Sequence, residues 1–405
     1  MKKVWFPAFI VLFEFSTYVS NDMIMPGMPR VVHDFHVGIG AASLALSAAL
    51  LGNILLQWLL GPLSDYKGRR PVLLTGVVFF ILSCLAMYFA HNMAEFVALR
   101  ALQGMGVAFV AAVGYPSVQE AFDEATAVRT VALMASVALL APLLGPALGA
   151  IIITIASWRA IFGVIACVAC VSLVGLWRHM PETAHHLSAG EKLSWRQLLR
   201  DYQPVLRNRD ILLGSAALGL ACIPLMNWIA LAPVILIENN HLSVLAYGWW
   251  QLPVFGAMIL GHIIVARLAG RWSLDHVMRL GLYLMVAGVL LAVAGQMMYG
   301  TFVGAVAGFS VYSLGIGPCY AAIYRQALFV SPGTKGTVAA AINTLFMTLM
   351  AVGVEASKAV FVEFGETALL GVGVMVVLGA TAAALQFSNR LRNQSAPTSL
   401  EALPL

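Results

Sequence analysis

Residues 41–90, AASLALSAALLGNILLQWLLGPLSDYKGRRPVLLTGVVFFILSCLAMYFA, decide how the whole chain is read. Two apolar runs, 41–62 and 71–90, flank a short polar stretch that carries Asp65, Lys67, Arg69 and Arg70. At about 1.5 Å of rise per residue, each run is long enough to cross the ~30 Å hydrocarbon core of a bilayer as a helix. Lipid offers no partner for backbone N–H and C=O groups, so a single spanning segment must be helical. The stretch therefore predicts two membrane helices joined by a basic hairpin.

Working outward, the same pattern repeats along the chain. Apolar runs fall at 4–25, 41–62, 71–90, 94–117, 128–153, 159–180, 211–236, 243–266, 276–298, 301–325, 337–362 and 366–388. These are twelve helix candidates. Composition agrees: of 405 residues 61% are hydrophobic and 10% charged, with a mean hydropathy of +0.89. A soluble domain carries roughly 25% charged residues. A cytosolic enzyme is excluded on that ground. One long polar connection, Pro181 to Asp210, divides the chain into 1–180 and 211–389, each a six-helix bundle, with 390–405 as a polar, disordered tail.

Lys and Arg set the orientation. Lys2, Lys3, Lys67, Arg69, Arg70, Arg129, the cluster from Arg178 to Arg209, Arg267, Arg271, Arg279, Arg325, Lys335, Arg390 and Arg392 fall on one side, while Arg30 and Arg159 fall on the other. Both termini and the central connection are thus expected in the cytoplasm. Within that connection, Trp195, Leu198, Leu199, Tyr202 and Leu206 keep helical spacing and Ser194 can cap the start, which predicts a short helix lying in the membrane interface. Lys2 and Lys3 precede an apolar run interrupted by Glu14 and Asp22, without a small-residue cleavage site; it reads as a retained first span rather than a signal peptide.

The net charge of +5 does not indicate nucleic acid, because the basic residues sit in short loops and form no continuous phosphate-binding stretch. Cys84, Cys167, Cys170, Cys222 and Cys319 all lie within apolar runs, so packing is expected of them rather than disulfides, redox chemistry or zinc. His33 and His36 lack a third ligand and read as loop residues, so no metal and no cofactor is expected. The longest loop is too short to fold as a soluble domain, and no nucleophile or metal cluster marks an enzyme.

The informative residues are those that lipid should exclude. Glu14 and Asp22 lie in the first span. A charged side chain at mid-bilayer costs ~2.5–3.5 kcal/mol on insertion scales, so intramembrane acids usually line a cavity. Eight residues advance ~800° and ~12 Å along a helix, which sets Glu14, Tyr18 and Asp22 on one slowly turning stripe flanked by Thr17 and Asn21. Asp22 reads either as part of a cavity wall or as an anchor at the helix end. Arg100, in ALRALQGMG, keeps its proton and so needs a cavity or an acid. It can form a coupled proton-handling system with the two acids, or a static pair pinning two helices. Glu355 and Lys358, three apart, predict a local pair on one helix.

Two glycine-bearing stretches complete the pattern. In Gly61–Pro71, Gly61 and Gly68 allow tight turns, Asp65 can sit near the following helix N-terminus, and Lys67, Arg69 and Arg70 hold one membrane face. In APLLGPALGA, Ala141–Ala150, the residues Pro142, Gly145, Pro146 and Gly149 weaken the backbone ladder and let another helix come close. LQGMGVAFVAAVGY, Leu102–Tyr115, is faintly echoed by SLGIGPCYAAIY, Ser313–Tyr324, as expected of a carrier built from two related halves.

Taken together, these stretches resemble the major facilitator superfamily, and within it the twelve-span drug:proton antiporter family. Gly61–Pro71 resembles the superfamily's loop signature, Arg100–Gln103–Gly104–Gly106 its fourth-helix signature, and Ala141–Ala150 the antiporter signature of the fifth helix, with Ala141 and Ala150 where glycines are common. The resemblance is closest to multidrug members, through EFSTYVSNDMIMPGM (Glu14–Met28) and QWLLGPLSD (Gln57–Asp65). It implies a proton-coupled exporter of lipophilic neutral and cationic drugs, such as chloramphenicol or ethidium, in a bacterial inner membrane. It also implies that Glu14, Asp22 and Arg100 handle proton and substrate, that Tyr18, Asn21 and Gln103 line the cavity, and that the carrier acts as a monomer. A proton symporter for a specific nutrient is the alternative; it needs a cavity richer in hydrogen-bonding groups and sits poorly with the fifth-helix pattern.

Overall fold

A computed structural model describes residues 5–183, 195–268, 271–299, 301–330 and 335–395. Lys2, Lys3, Ser194 and residues 396–405 lie outside them. Residues 390–395, where the sequence predicts the start of a disordered tail, instead continue the last helix, held by Arg390 to Asp210 and Arg392 to Asp275. Helices follow the apolar runs: α1 (Phe6–Met23), α2 (Met28–Asp34), α3 (Leu44–Lys67), α4 (Arg69–Ala86), α5 (Met93–Phe109), α6 (Tyr115–Ala121), α7 (Glu124–Ile155), α8 (Arg159–His179), α9 (Trp195–Leu206), α10 (Arg209–Pro233), α11 (Val244–Leu268), α12 (Leu274–Tyr299), α13 (Phe302–Phe329) and α14 (Lys335–Ser395). A π-helical stretch, Val110–Gly114, joins α5 to α6, and a second, Val234–Asn239, extends α10. No strand occurs among the described residues.

Polar side chains mark where the chain leaves the apolar layer. Asn92, Asp123 and Asn208 cap α5, α7 and α10 by accepting from the backbone N–H groups of Glu95, Thr126 and Asp210 at 2.9, 3.2 and 2.9 Å. Gly68 separates α3 from α4 at φ 98°, a left-handed setting that a Cβ disfavours. Among the described residues, ten helical stretches are long and apolar enough to cross a membrane. The last runs over Thr337–Asn393 and breaks at Gly365, where φ is 79° and ψ −169°, so it makes two passes. With that bend and the 18-residue α1, the described residues hold twelve passes, as expected.

Helices α1 and α3–α8 pack among themselves, as do α10–α14, and α9 lies against α10 and α14 with Val205 buried. The two sets meet along two seams, α7 against α11 and α3 against α14. The first is closely fitted: a Cβ on Gly248 of α11 would lie 3.2 Å from the Ala147 backbone. Further contacts between the sets come from Met25–Gly27, α2 and Ile39–Ser43, all at the end away from Gly61–Pro71. Toward the Gly61–Pro71 end a cavity separates the sets.

Candidate functional site

Helix α1 carries its polar stripe inward. Ser16, Thr17 and Ser20 return their hydroxyls to carbonyls three residues back, at 2.7, 2.8 and 2.7 Å, so their polarity is spent within the helix. Glu14 and Asp22 have no such outlet, and both are buried. Tyr115, at the start of α6, donates its hydroxyl to Glu14 Oε1 at 2.9 Å, while Oε2 is buried without a hydrogen-bond partner. A buried oxygen left in that state has lost water and gained nothing, so it marks where a proton or a cationic ligand stabilises most.

Arg100 is fully buried, and its guanidinium is held by oxygen atoms from three helices. Nε donates to Ala45 O at 3.3 Å, Nη1 to Ser20 O at 3.2 Å and to Gln103 Oε1 at 2.5 Å, and Nη2 to Asn21 Oδ1 at 3.2 Å. Gln103 in turn donates to Cys84 Sγ at 2.9 Å. All four acceptors are neutral. Among the described residues neither Glu14 nor Asp22 forms an ion pair with Arg100. Close helix crossing makes this cradle possible. A Cβ on Gly52 would stand 1.8 Å from Ala101 O and one on Gly104 2.0 Å from Ala49 O, so α3 and α5 touch backbone to backbone beside Arg100.

Asp22 sits under α7. A Cβ on Gly145 would lie 2.7 Å from Asp22 Cβ, and one on Gly149 would lie 1.9 Å from Met23 O. The close approach expected of Ala141–Ala150 is thus made to α1, at the acid itself. Tyr247 of α11, in the other helix set, is also buried.

The cavity between the sets has a volume of about 680 Å³, within the range that takes drug-sized molecules. Tyr18, Gln57, Trp58, Tyr115, Tyr324 and Asn343 are among its walls, with Asp65, Arg69 and Tyr202 also lining it. Of the residues the sequence places at the site, Tyr18 lines this cavity. Glu14 stands behind Tyr115, Asp22 lies toward the closed end, and Asn21 and Gln103 serve Arg100 instead of the wall. Tyr115 and Tyr324 end the two stretches in which the halves echo each other, and Tyr202 belongs to the stripe of the interfacial helix, but nothing in the sequence places them or Asn343 on a common wall.

At the Gly61–Pro71 end, Arg69 is 7% exposed and engages Asp65 at 2.6 Å, Ser64 Oγ at 2.6 Å and both oxygens of Glu120 at 2.8 and 3.2 Å. Glu182 accepts the backbone N–H groups of Arg69 and Arg70 at 2.9 and 3.3 Å, placing a carboxylate at the positive end of α4. Arg70 donates to Trp177 O at 2.5 Å. No motif in the sequence marks Glu120, on α6, or Glu182 as a partner of Arg69. At the same end of the other set, Asp275 receives Arg279, Arg392 and Ser388, and Asp210 receives Arg390 at 2.5 Å. His33 and His36 stand with ring centroids 6.4 Å apart, and among the described residues no third ligand joins them.

Two helix sets around a polar, aromatic cavity, with buried acids and a buried arginine beside it, define a polytopic membrane carrier. The Major Facilitator Superfamily family model matches residues 10–354, and the chain belongs to that superfamily. It is 46% identical over 358 residues to the Multidrug transporter MdfA of Yersinia pestis bv. Antiqua (strain Angola), covering 88% of this chain and 87% of that protein. To the Multidrug transporter MdfA of Escherichia coli O157:H7 it is 45% identical over 362 residues, covering 89% and 88%. Among solved structures, the D-xylose-proton symporter superposes with a TM-score of 0.76 at 15% identity, covering 94% of this chain and 96% of the other. The nucleoside transporter NupG gives 0.73 at 12% identity, covering 95% and 99%. At such identities these two likenesses speak for the fold alone.

Proposed function

We propose that the chain is a proton-coupled multidrug efflux antiporter that exports lipophilic neutral and cationic drugs across the bacterial inner membrane by alternating access. One observation carries the reading: two buried carboxylates, Glu14 behind the cavity wall at Tyr115 and Asp22 one helical turn beyond the lining residue Tyr18, neither paired with the buried arginine. An acid without a fixed counter-charge is free to exchange a proton for a ligand. Antiport requires only that proton and drug disfavour each other energetically within one binding region. The flat aromatic wall of Tyr18, Trp58, Tyr115 and Tyr324 suits varied apolar ligands. The names of the relatives support the drug substrates.

In this reading 1–180 and 211–389 rock as units joined by 181–210, with the Gly61–Pro71 end and both termini in the cytoplasm. The carrier is then open inward, and drug enters beside Tyr202. A proton arriving from outside at Asp22 or Glu14 displaces drug outward, and release of that proton inward restores affinity. Arg100 holds α1, α3 and α5 in register through Ser20, Asn21 and Ala45, so that a shift of α1 beside Asp22 is felt across three helices. The carrier works as a monomer and draws on the proton gradient, with no cofactor.

Everted membrane vesicles with an inside-acid gradient and a pH-sensitive dye test this reading. Ethidium or chloramphenicol should each release protons from the vesicle interior. Proton movement with a sugar or amino acid, and none with either drug, would reassign the chain to nutrient uptake.

The Arg69 network is proposed to fasten the cytoplasmic end in one conformation. Arg69→Lys keeps the charge but loses the two-oxygen grip on Glu120. Hydrogen bonds to charged groups contribute roughly 1.5–3 kcal/mol, so ethidium efflux at equal membrane abundance should slow by about tenfold. An unchanged rate removes the network from the transport cycle.

A further inference from the structure

Glu355 and Lys358, on the first pass of α14, form the expected pair across one helical turn. The pair is not self-contained. Ser47 Oγ, on α3 in the other helix set, donates to the second carboxylate oxygen, Glu355 Oε1, at 2.5 Å. Ser47 is buried one turn from the start of α3, on the side of the molecule away from the Gly61–Pro71 hairpin. The α3–α14 seam also brings Asn53 Nδ2 to Met347 Sδ at 3.3 Å, and just before α3 Gly40 lies against Val362, where a Cβ would stand 2.8 Å from Val362 Cγ2. Of these contacts, Ser47–Glu355 is the charge-assisted one.

From this geometry we infer that Ser47 and Glu355 form a reversible latch that holds the outer ends of the two helix sets together while the cavity is open at the cytoplasmic end. The inference rests on the alternating-access reading above. Outward opening parts α3 from α14 and breaks the Ser47 hydrogen bond. Lys358 is what makes the latch reversible: it sits on the same helix as Glu355 and stays with it in either state. The carboxylate is therefore never stranded without a counter-charge at membrane depth. Lys358 is thus a positioning residue, Glu355 the catch, and Ser47 the part that lets go.

Hydrogen–deuterium exchange on the full-length carrier in lipid nanodiscs, without drug or gradient, tests the latch. Ser47→Ala should speed exchange at residues 39–50 and 355–366, and Glu355→Gln, whose amide oxygen still accepts from Ser47 but without the charge, should do so to a lesser degree. For Ser47→Ala the expected change is roughly tenfold, the population shift that loss of one such hydrogen bond brings. Both should also slow exchange at residues 61–71, because a carrier that opens outward closes at the other end. The double variant should go no further than the larger single effect, and Ser47→Thr, which keeps the hydroxyl, should match the wild type. Unchanged exchange in Ser47→Ala, or faster exchange at both ends together, overturns the latch; the second pattern is general loosening. The readout requires no transport, so a chain that moves no drug in vesicles can still display the latch. Likewise, intact drug–proton exchange with flat exchange profiles removes the latch and leaves the antiporter standing.

Discussion

Asp22→Asn should abolish drug-driven proton release in everted vesicles while leaving the folded carrier in the membrane. The substitution nearly preserves shape, which matters because Gly145 of α7 presses within van der Waals distance of the Asp22 side chain. It removes the ability to carry a proton and little else. Removing a positioned proton-transfer group typically costs on the order of 10²–10⁴-fold, so release should fall to background for ethidium and chloramphenicol alike. Glu14→Gln is the informative companion. Its amide oxygen still accepts from Tyr115, so the local contact survives while the titrating oxygen that lacks a partner disappears. Undiminished release in Asp22→Asn with loss in Glu14→Gln assigns the coupled proton to Glu14. Full release in both variants overturns the assignment of protons to α1.

What could be read from the residues alone follows from the range of the forces involved. Membrane passes are local: a run of apolar side chains meets lipid whatever its neighbours do, and the twelve runs became twelve passes. The turn at Gly68 and the pairing of Glu355 with Lys358 across one helical turn are local too, and both stand where the sequence places them; the third partner, Ser47 of α3, is not local and carries no sequence signal. The surroundings of Arg100 are not local. Two of its four acceptors are backbone carbonyls, at Ser20 and Ala45, which any residue supplies and which no motif records. The sequence offered a cavity or an acid as its partner; the protein uses neutral oxygen atoms brought together by Gly52 and Gly104. The same holds for Glu120 and Glu182, whose side chains reach Arg69 and the start of α4 across 51 and 113 residues. Helical spacing correctly put Glu14, Tyr18 and Asp22 on an inward stripe, but depth along that stripe depends on how α7 and α11 close over its far end. Tyr18 meets the cavity and Asp22 is covered.

Gly149→Ala probes that covering, and it should disable export without unfolding the chain. The added methyl carbon would stand 1.9 Å from Met23 O and 2.8 Å from its carbonyl carbon. These are backbone atoms and have no rotamer through which to retreat, so α7 and α1 must move apart. Overpacking of this kind costs roughly 1–3 kcal/mol, an amount a twelve-pass bundle can bear and a tuned seam cannot. The strain falls one residue from Asp22, and the same displacement relaxes the contact between Gly145 and the acid. Water should then reach Asp22 from the closed end, and protons should cross without drug. The expected signature is loss of ethidium efflux together with faster drug-independent collapse of an imposed pH gradient, at unchanged membrane abundance and with a melting temperature lowered by a few degrees. Gly256→Ala is the matched control, since nothing lies within 4 Å of its added carbon and transport should be unaffected. Normal efflux and a tight gradient in Gly149→Ala would mean that α1 and α7 have room to part during the cycle, and that Asp22 is shielded by Tyr247 and α11 rather than by the glycine seam.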